Sequence, residues 1–151
     1  MKITGYRLEK YTQQLDRAIG DSNYPEGDDL MGMAILWIET DVGVTGVAPA
    51  GNDAVGSLFH VIDGKDPRGV VGLWKEMVDW VHKGNNEGEL NGAIAAIDVA
   101  LWDLKAKLND EPIWQTLGAR EGRAKAYASD IGYNLSDDQL HGFYTRMADA
   151  G

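Results

Sequence analysis

A chain of 151 residues is long enough for one ordinary domain with a buried core, and 44% hydrophobic against 25% charged residues excludes a disordered polymer. The absence of cysteine removes disulfide frameworks, zinc–cysteine sites and thiol nucleophiles, and fits a reducing, cytoplasmic setting. A formal net charge of −10 disfavours nucleic acid and anionic membrane surfaces as partners, and no run reads as a signal peptide or a membrane span.

Residues 2 to 10 alternate imperfectly around Ile3, Tyr6 and Leu8 and predict a first strand. Residues 16 to 29, DRAIGDSNYPEGDD, are polar and broken by Gly, Pro and Asn, which predicts a long surface loop. Met33 to Thr40 is a mostly apolar strand. Asp41-Val42-Gly43 then makes a hairpin turn into Val44 to Ala48, with Gly43 suited to a positive φ. Three antiparallel strands in a meander are expected. Pro49 to Gly56 is a second polar loop, and Val55 to Ile62 begins a short helix. Asp63 to Pro67 breaks the chain, with Asp66 as an N-cap and Pro67 at the first helical position. From Arg68 to His82 the residues Val70, Leu73, Trp74, Met77, Val78 and Val81 recur at three and four, giving one apolar helical face. Lys83 to Glu89 is another polar loop.

The next helix, about Leu90 to Leu108, is the most apolar. Ile94, Ile97, Leu101, Leu104 and Leu108 form a stripe that Ala93, Ala96 and Ala100 widen, so burial on more than one side is expected. Asp98 and Asp103 sit within it. Five residues apart, they lie well round the helix from each other, which argues against a shared ion and for hydrogen bonds to backbone or to Lys/Arg. Asn109 and Asp110 end the helix before Pro112, and Ile113 to Leu117 forms a turn of helix closed by Gly118. Ala124 to Ser129 has strand character, and Ser136 caps a last helix to Ala150 that carries Leu140, Phe143 and Met147. His60, His82 and His141 stand alone, without metal-ligand spacing, and no glycine-rich phosphate loop follows a strand. Asn134-Leu135-Ser136 matches a glycosylation sequon, for which chance is the better account.

Ala96-Ile97-Asp98, Ala100-Leu101-Trp102-Asp103-Leu104, Glu111-Pro112-Ile113 and Leu117-Gly118 occur in that order. Gly64-Lys65-Asp66-Pro67 with Leu73-Trp74 precedes them, and Ala126-Tyr127-Ala128-Ser129 follows. This succession resembles the enolase superfamily, in its mandelate racemase and muconate lactonizing enzyme branch. The resemblance implies an α+β fold: a three-stranded antiparallel meander plus a helical bundle as an N-terminal capping domain over 1–118. The first βα unit of a truncated (β/α)8 barrel would follow over 119–151. It further implies a Mg²⁺-dependent enzyme that abstracts the proton α to a carboxylate. The metal ligands and catalytic bases would lie in the missing part of the barrel, so no catalytic or metal residue is expected within these 151.

In such enzymes two capping loops close over the barrel mouth, and they correspond to 16–29 and 49–53. Asp21, Ser22, Asn23, Tyr24 and Asn52 are thereby candidate substrate-binding residues, as are Ser129 and Asp130 at the end of the first barrel strand. The alternative is that each is a solvated loop residue. Polar loops suit an acid-sugar substrate and favour a dehydratase, with a racemase, epimerase or cycloisomerase as the alternative. A homo-oligomer is implied at full length. If the chain ended at Gly151, a non-catalytic fold or oligomerisation module would be the reading.

Overall fold

A computed structural model describes residues 1–83, 88–128 and 132–151. The elements run β1 (Ile3–Ile19), β2 (Asp28–Thr40), β3 (Gly46–Ala50), α1 (Val55–Ile62), α2 (Val70–Lys83), α3 (Gly88–Leu108), α4 (Ile113–Thr116) and α5 (Asp137–Ala150). The described residues fall into two compact units. One comprises Met1–Tyr11 with Met33–Gly122; the other comprises Thr12–Gly32 with Arg123–Gly151.

The sheet has the order β1-β2-β3, the antiparallel meander expected. Leu36 pairs with Ala48 and Ile38 with Gly46 across the β2–β3 ladder. Leu36, Ile38, Gly46 and Ala48 are buried while Trp37 and Val47 between them are only partly so, the period of two that puts one face on a core. Pro49 is tolerated because β3 is an edge strand and its missing N–H costs no ladder bond. Gly43 takes φ +78° in the turn before β3, which also holds the Thr40 hydroxyl donating to the Val44 carbonyl at 2.7 Å.

β1 continues to Ile19 and β2 begins at Asp28, so the loop between them is 20–27 and not the expected 16–29. Residues 16–19 lie in β1 because a ladder is made by backbone groups, and a partner strand suffices even within a largely polar stretch of sequence. Gln14 Nε2 donating to the Asp29 carbonyl at 3.0 Å adds a cross-strand tie there.

The core of the first unit is a sheet face covered by helices. α3 packs on β3 and against α1, α2 and α4, so it is enclosed on several sides as its composition requires. Ala93, Ile94, Ala96, Ile97, Ala100, Leu101, Leu104 and Ala106 are buried along it. Fully burying one Ile or Leu is worth about 2 kcal/mol, so Ile94, Ile97, Leu101 and Leu104 contribute substantially to the stability of this unit. Gly46 is what lets β3 approach: a Cβ there would lie 2.0 Å from the Ala100 carbonyl oxygen and 2.8 Å from Leu104 Cβ.

The ends of α3 and α4 follow the same chemistry. Glu111 N–H bonds to the Ala106 carbonyl and Asp110 N–H to that of Lys107, a Schellman closure with Asp110 at φ 54°. Ala119 N–H and Gly118 N–H close α4 onto Trp114 and Gln115 in the same way, with Gly118 at φ +77°.

Four further expectations are corrected. α2 starts at Val70, not Arg68, and Asp66 caps the preceding turn: its Oδ1 accepts from Arg68 N–H at 3.0 Å. Trp74 does not join the buried face of Val70, Leu73, Met77 and Val81, but is 45% exposed on the flank of α2. Residues 124–128 form no strand, since no described neighbour pairs with them, and alternation without a ladder partner leaves a chain open to water. Gly88 and Glu89, expected in a loop, open α3; residues 84–87 of that loop lie outside the described residues. The last helix is as read, with Ser136 and Gln139 forming a capping box.

Candidate functional site

The two loops singled out in the sequence are each built by specific local bonds. In loop 20–27, Asp21 Oδ1 accepts from the N–H groups of Asn23 at 2.7 Å and Tyr24 at 2.9 Å. Asp21 N–H and Gly27 N–H both donate to the Tyr24 carbonyl at 3.1 Å. One carboxylate oxygen is therefore committed to shaping the loop, as short Asp side chains do in turns. Gly20 admits no side chain, because a Cβ would lie 2.4 Å from the Pro25 carbonyl oxygen, and Gly27 sits at φ +68°. The result is a tight loop that leaves Ser22, Asn23 and Tyr24 exposed, Tyr24 by 55%. Their hydroxyl, amide and phenol groups are the kind that recognise a polyol.

Asn52 belongs to the other unit and is differently employed. Its Oδ1 accepts from Ala54 N–H at 2.9 Å, and its Nδ2 donates to the Glu89 carbonyl at 3.0 Å. The side chain thus ties the loop after β3 to the first turn of α3. Beside it, Lys10 Nζ lies 2.6 Å from Asp53 Oδ2. Among the candidates the structure brings Asp21, Ser22, Asn23 and Tyr24 into one loop and places Asn52 in a separate one. Ser129 and Asp130 lie outside the described residues.

The acids of α3 take structural partners. Asp103 Oδ2 accepts from Val47 N–H of β3 at 2.8 Å and from Lys107 Nζ at 2.6 Å. It fastens the helix to the sheet and is the reason an acid is tolerated there. Asp98 is half-buried. Burial pushes its carboxyl above the usual carboxylate range, and a hydrogen bond from the Trp102 side chain partly offsets this. Lys105 Nζ lies 5.1 Å from the centre of the same Trp102 ring. In the turn before α2 the Arg68 guanidinium grips both oxygens of Asp66, with its Nη2 at 2.5 Å from Oδ2, and holds that carboxyl down to about 2.

His60 packs edge-on against Trp80 at 5.0 Å and 72° on the surface. Among the described residues no three His, Asp or Glu side chains converge as a metal site, and no helix is long and apolar enough to cross a membrane. The arrangement can therefore present hydrogen-bonding groups to a polar ligand from loop 20–27, while the acids of α3 hold the fold. Arg17 and Asn134 also adjoin that loop's β1 end, and nothing in residue spacing pointed to Arg17.

Comparison with known proteins agrees with this architecture. Residues 30–118 match the family described as mandelate racemase / muconate lactonizing enzyme, N-terminal domain. A D-galactonate dehydratase family member of Marinomonas sp. (strain MWYL1) is 40% identical over 97 residues, which is 58% of this chain and 24% of that protein. A racemase from Streptomyces coelicolor A3(2), crystallised with bound magnesium, superposes with a TM-score of 0.85 at 26% identity, over 99% of this chain and 44% of its own. L-talarate dehydratase from Polaromonas sp. JS666, complexed with Mg and L-glucarate, gives a TM-score of 0.79 at 26% identity, again over 99% of this chain and 44% of its own. This chain thus spans less than half the length of each of these relatives. It belongs to the mandelate racemase/muconate lactonizing enzyme branch of the enolase superfamily, of which it carries the N-terminal portion.

Proposed function

We propose that residues 1–118 are the capping domain of a Mg²⁺-dependent acid-sugar dehydratase, and that 119–151 open its barrel domain. The observation that carries this reading is the match of nearly the whole chain to a dehydratase crystallised with L-glucarate, joined to the 40% identity with a D-galactonate dehydratase family member. Loop 20–27 supports it, because its exposed side chains include the hydroxyl, amide and phenol groups of Ser22, Asn23 and Tyr24, beside Asp21, Pro25 and Glu26. The metal, and the bases, are assigned to barrel elements outside these 151 residues, as the family resemblance implies.

The reaction removes the proton α to the substrate carboxylate and then expels the β-hydroxyl as water, leaving an enol that becomes a 2-keto acid. The part of this chain is to enclose and select the substrate: Ser22, Asn23 and Tyr24 contact its hydroxyls. The substrate is a small carboxylate, the enzyme a homo-oligomer. A racemase is the second reading, favoured by the TM-score of 0.85 to the Streptomyces enzyme.

One experiment separates the readings. The polypeptide that carries these residues is incubated with galactonate, galactarate, talarate and glucarate in D₂O with Mg²⁺, and NMR follows α-proton exchange and keto-acid formation. Keto-acid formation is expected. Exchange and inversion without keto acid makes it a racemase, and no exchange with any of the four ends both readings.

A further inference from the structure

We propose that Asn134 is a positioning residue for loop 20–27, fixing the β1 end of that loop from the turn before α5. The inference rests on the reading of loop 20–27 as substrate-facing. Asn134 Nδ2 donates to the Ala18 carbonyl at 2.7 Å, and Asn134 Oδ1 accepts from Arg17 Nη1 at 3.2 Å. Arg17 Nη1 also donates to the Ala18 carbonyl at 3.0 Å. The three groups close a ring between segments 116 residues apart in sequence, all within the second compact unit.

Local contacts shape each side of this ring. On the far side, Leu135 N–H closes the turn onto the Gly132 carbonyl at 3.0 Å, and the Ser136–Gln139 capping box begins α5 immediately after. That turn is pressed on the helix: a Cβ on Gly132 would lie 2.6 Å from Leu140 Cδ1. On the near side the loop is folded directly onto the residues that follow Ala18. A Cβ on Gly27 would lie 2.4 Å from the Ile19 carbonyl carbon, and one on Gly20 would lie 2.4 Å from the Pro25 carbonyl oxygen. With backbone on backbone at both ends, a shift of Ala18 to Gly20 carries Ser22, Asn23 and Tyr24 with it. The asparagine of the Asn134-Leu135-Ser136 sequon is thus engaged at both ends of its amide. Asn134 is exposed, so water competes for these bonds and the effect of losing them is modest, about threefold to tenfold.

The test uses the full polypeptide carrying these residues, as wild type, Asn134→Ala and Asn134→Asp. Amide hydrogen exchange is measured over 20–27 and along α3, together with kcat and KM for the acid sugar among galactonate, galactarate, talarate and glucarate that is turned over. Asn134→Ala is expected to speed exchange in 20–27 by about threefold to tenfold with α3 unchanged, and to raise KM by a similar factor while kcat stays within about twofold. Asn134→Asp keeps the acceptor for Arg17 and loses the donor to Ala18, so it should fall between; it decides by the same criteria if the alanine variant does not fold. Unchanged exchange in the loop overturns the proposal, as does a loosened loop with unchanged KM or a loss of protection that extends through α3. If wild type turns over none of the four sugars, the dehydratase reading fails, while the exchange comparison still judges the bridge.

Discussion

At the scale of single residues, the two acids of α3 show how one residue type takes opposite thermodynamic roles. Asp103 is satisfied by Val47 N–H and Lys107. Asp103→Ala leaves that amide without its acceptor at a half-buried seam and should cost about 1–2 kcal/mol in urea denaturation. Asp98 is desolvated and only partly compensated by Trp102, so its folded-state pKa lies above its ordinary 3.8. The folded state then binds that proton more tightly than the unfolded state. The stability this gives is full below the ordinary value and is lost as pH rises through the raised one. At neutral pH the Asp98 charge opposes folding. Asp98→Asn, which keeps an oxygen for Trp102, should therefore raise Tm at pH 7, and the gain should vanish below about pH 3.8. A Tm gain that persists unchanged at pH 3 would refute this account.

At the scale of elements, the contact of α3 with β3 is the decisive one in its unit, and its closeness depends on a single missing side chain. Gly46 faces the Ala100 carbonyl at a distance no Cβ can occupy. Gly46→Ala must push helix and strand apart and should destabilise by about 1–3 kcal/mol, measured as a lowered denaturation midpoint. Ala in place of Gly43, whose hypothetical Cβ meets nothing, would probe only the cost of positive φ and serves as the control. The alanines flanking the α3 stripe have the same purpose as Gly46, since each shortens the distance at which a neighbour can pack.

At the scale of the whole molecule, the two units differ in how much apolar surface they bury. α3 has eight buried side chains, whereas α5 has none, with Tyr144 45% and Met147 37% exposed. Amides that open by local unfolding report that difference. In the 151-residue chain the amides of α5 should exchange at least about tenfold faster than those of α3, because burying even one large side chain is worth more than the 1.4 kcal/mol that a factor of ten requires. Equal protection in α3 and α5 would show that α5 is held by something other than its own burial.

Much of this was legible in the sequence, because it depends on short-range rules. The three-and-four spacing gave α3 and the buried face of α2. Gly43 and Gly118 marked positive φ, and Ser136 marked the start of α5. The same local patterns, in order, carried the family resemblance and the α+β fold. What the tertiary structure decided is pairing. β1 runs on through a polar stretch to Ile19 because β2 supplies a backbone beside it, while 124–128 alternates yet forms no strand because no described neighbour does. Asp103 has its role because Val47 lies opposite, and Asn134 because Ala18 and Arg17 do. Hydrogen bonds between segments distant in the chain leave no periodic trace in either segment, so only the folded molecule could reveal them.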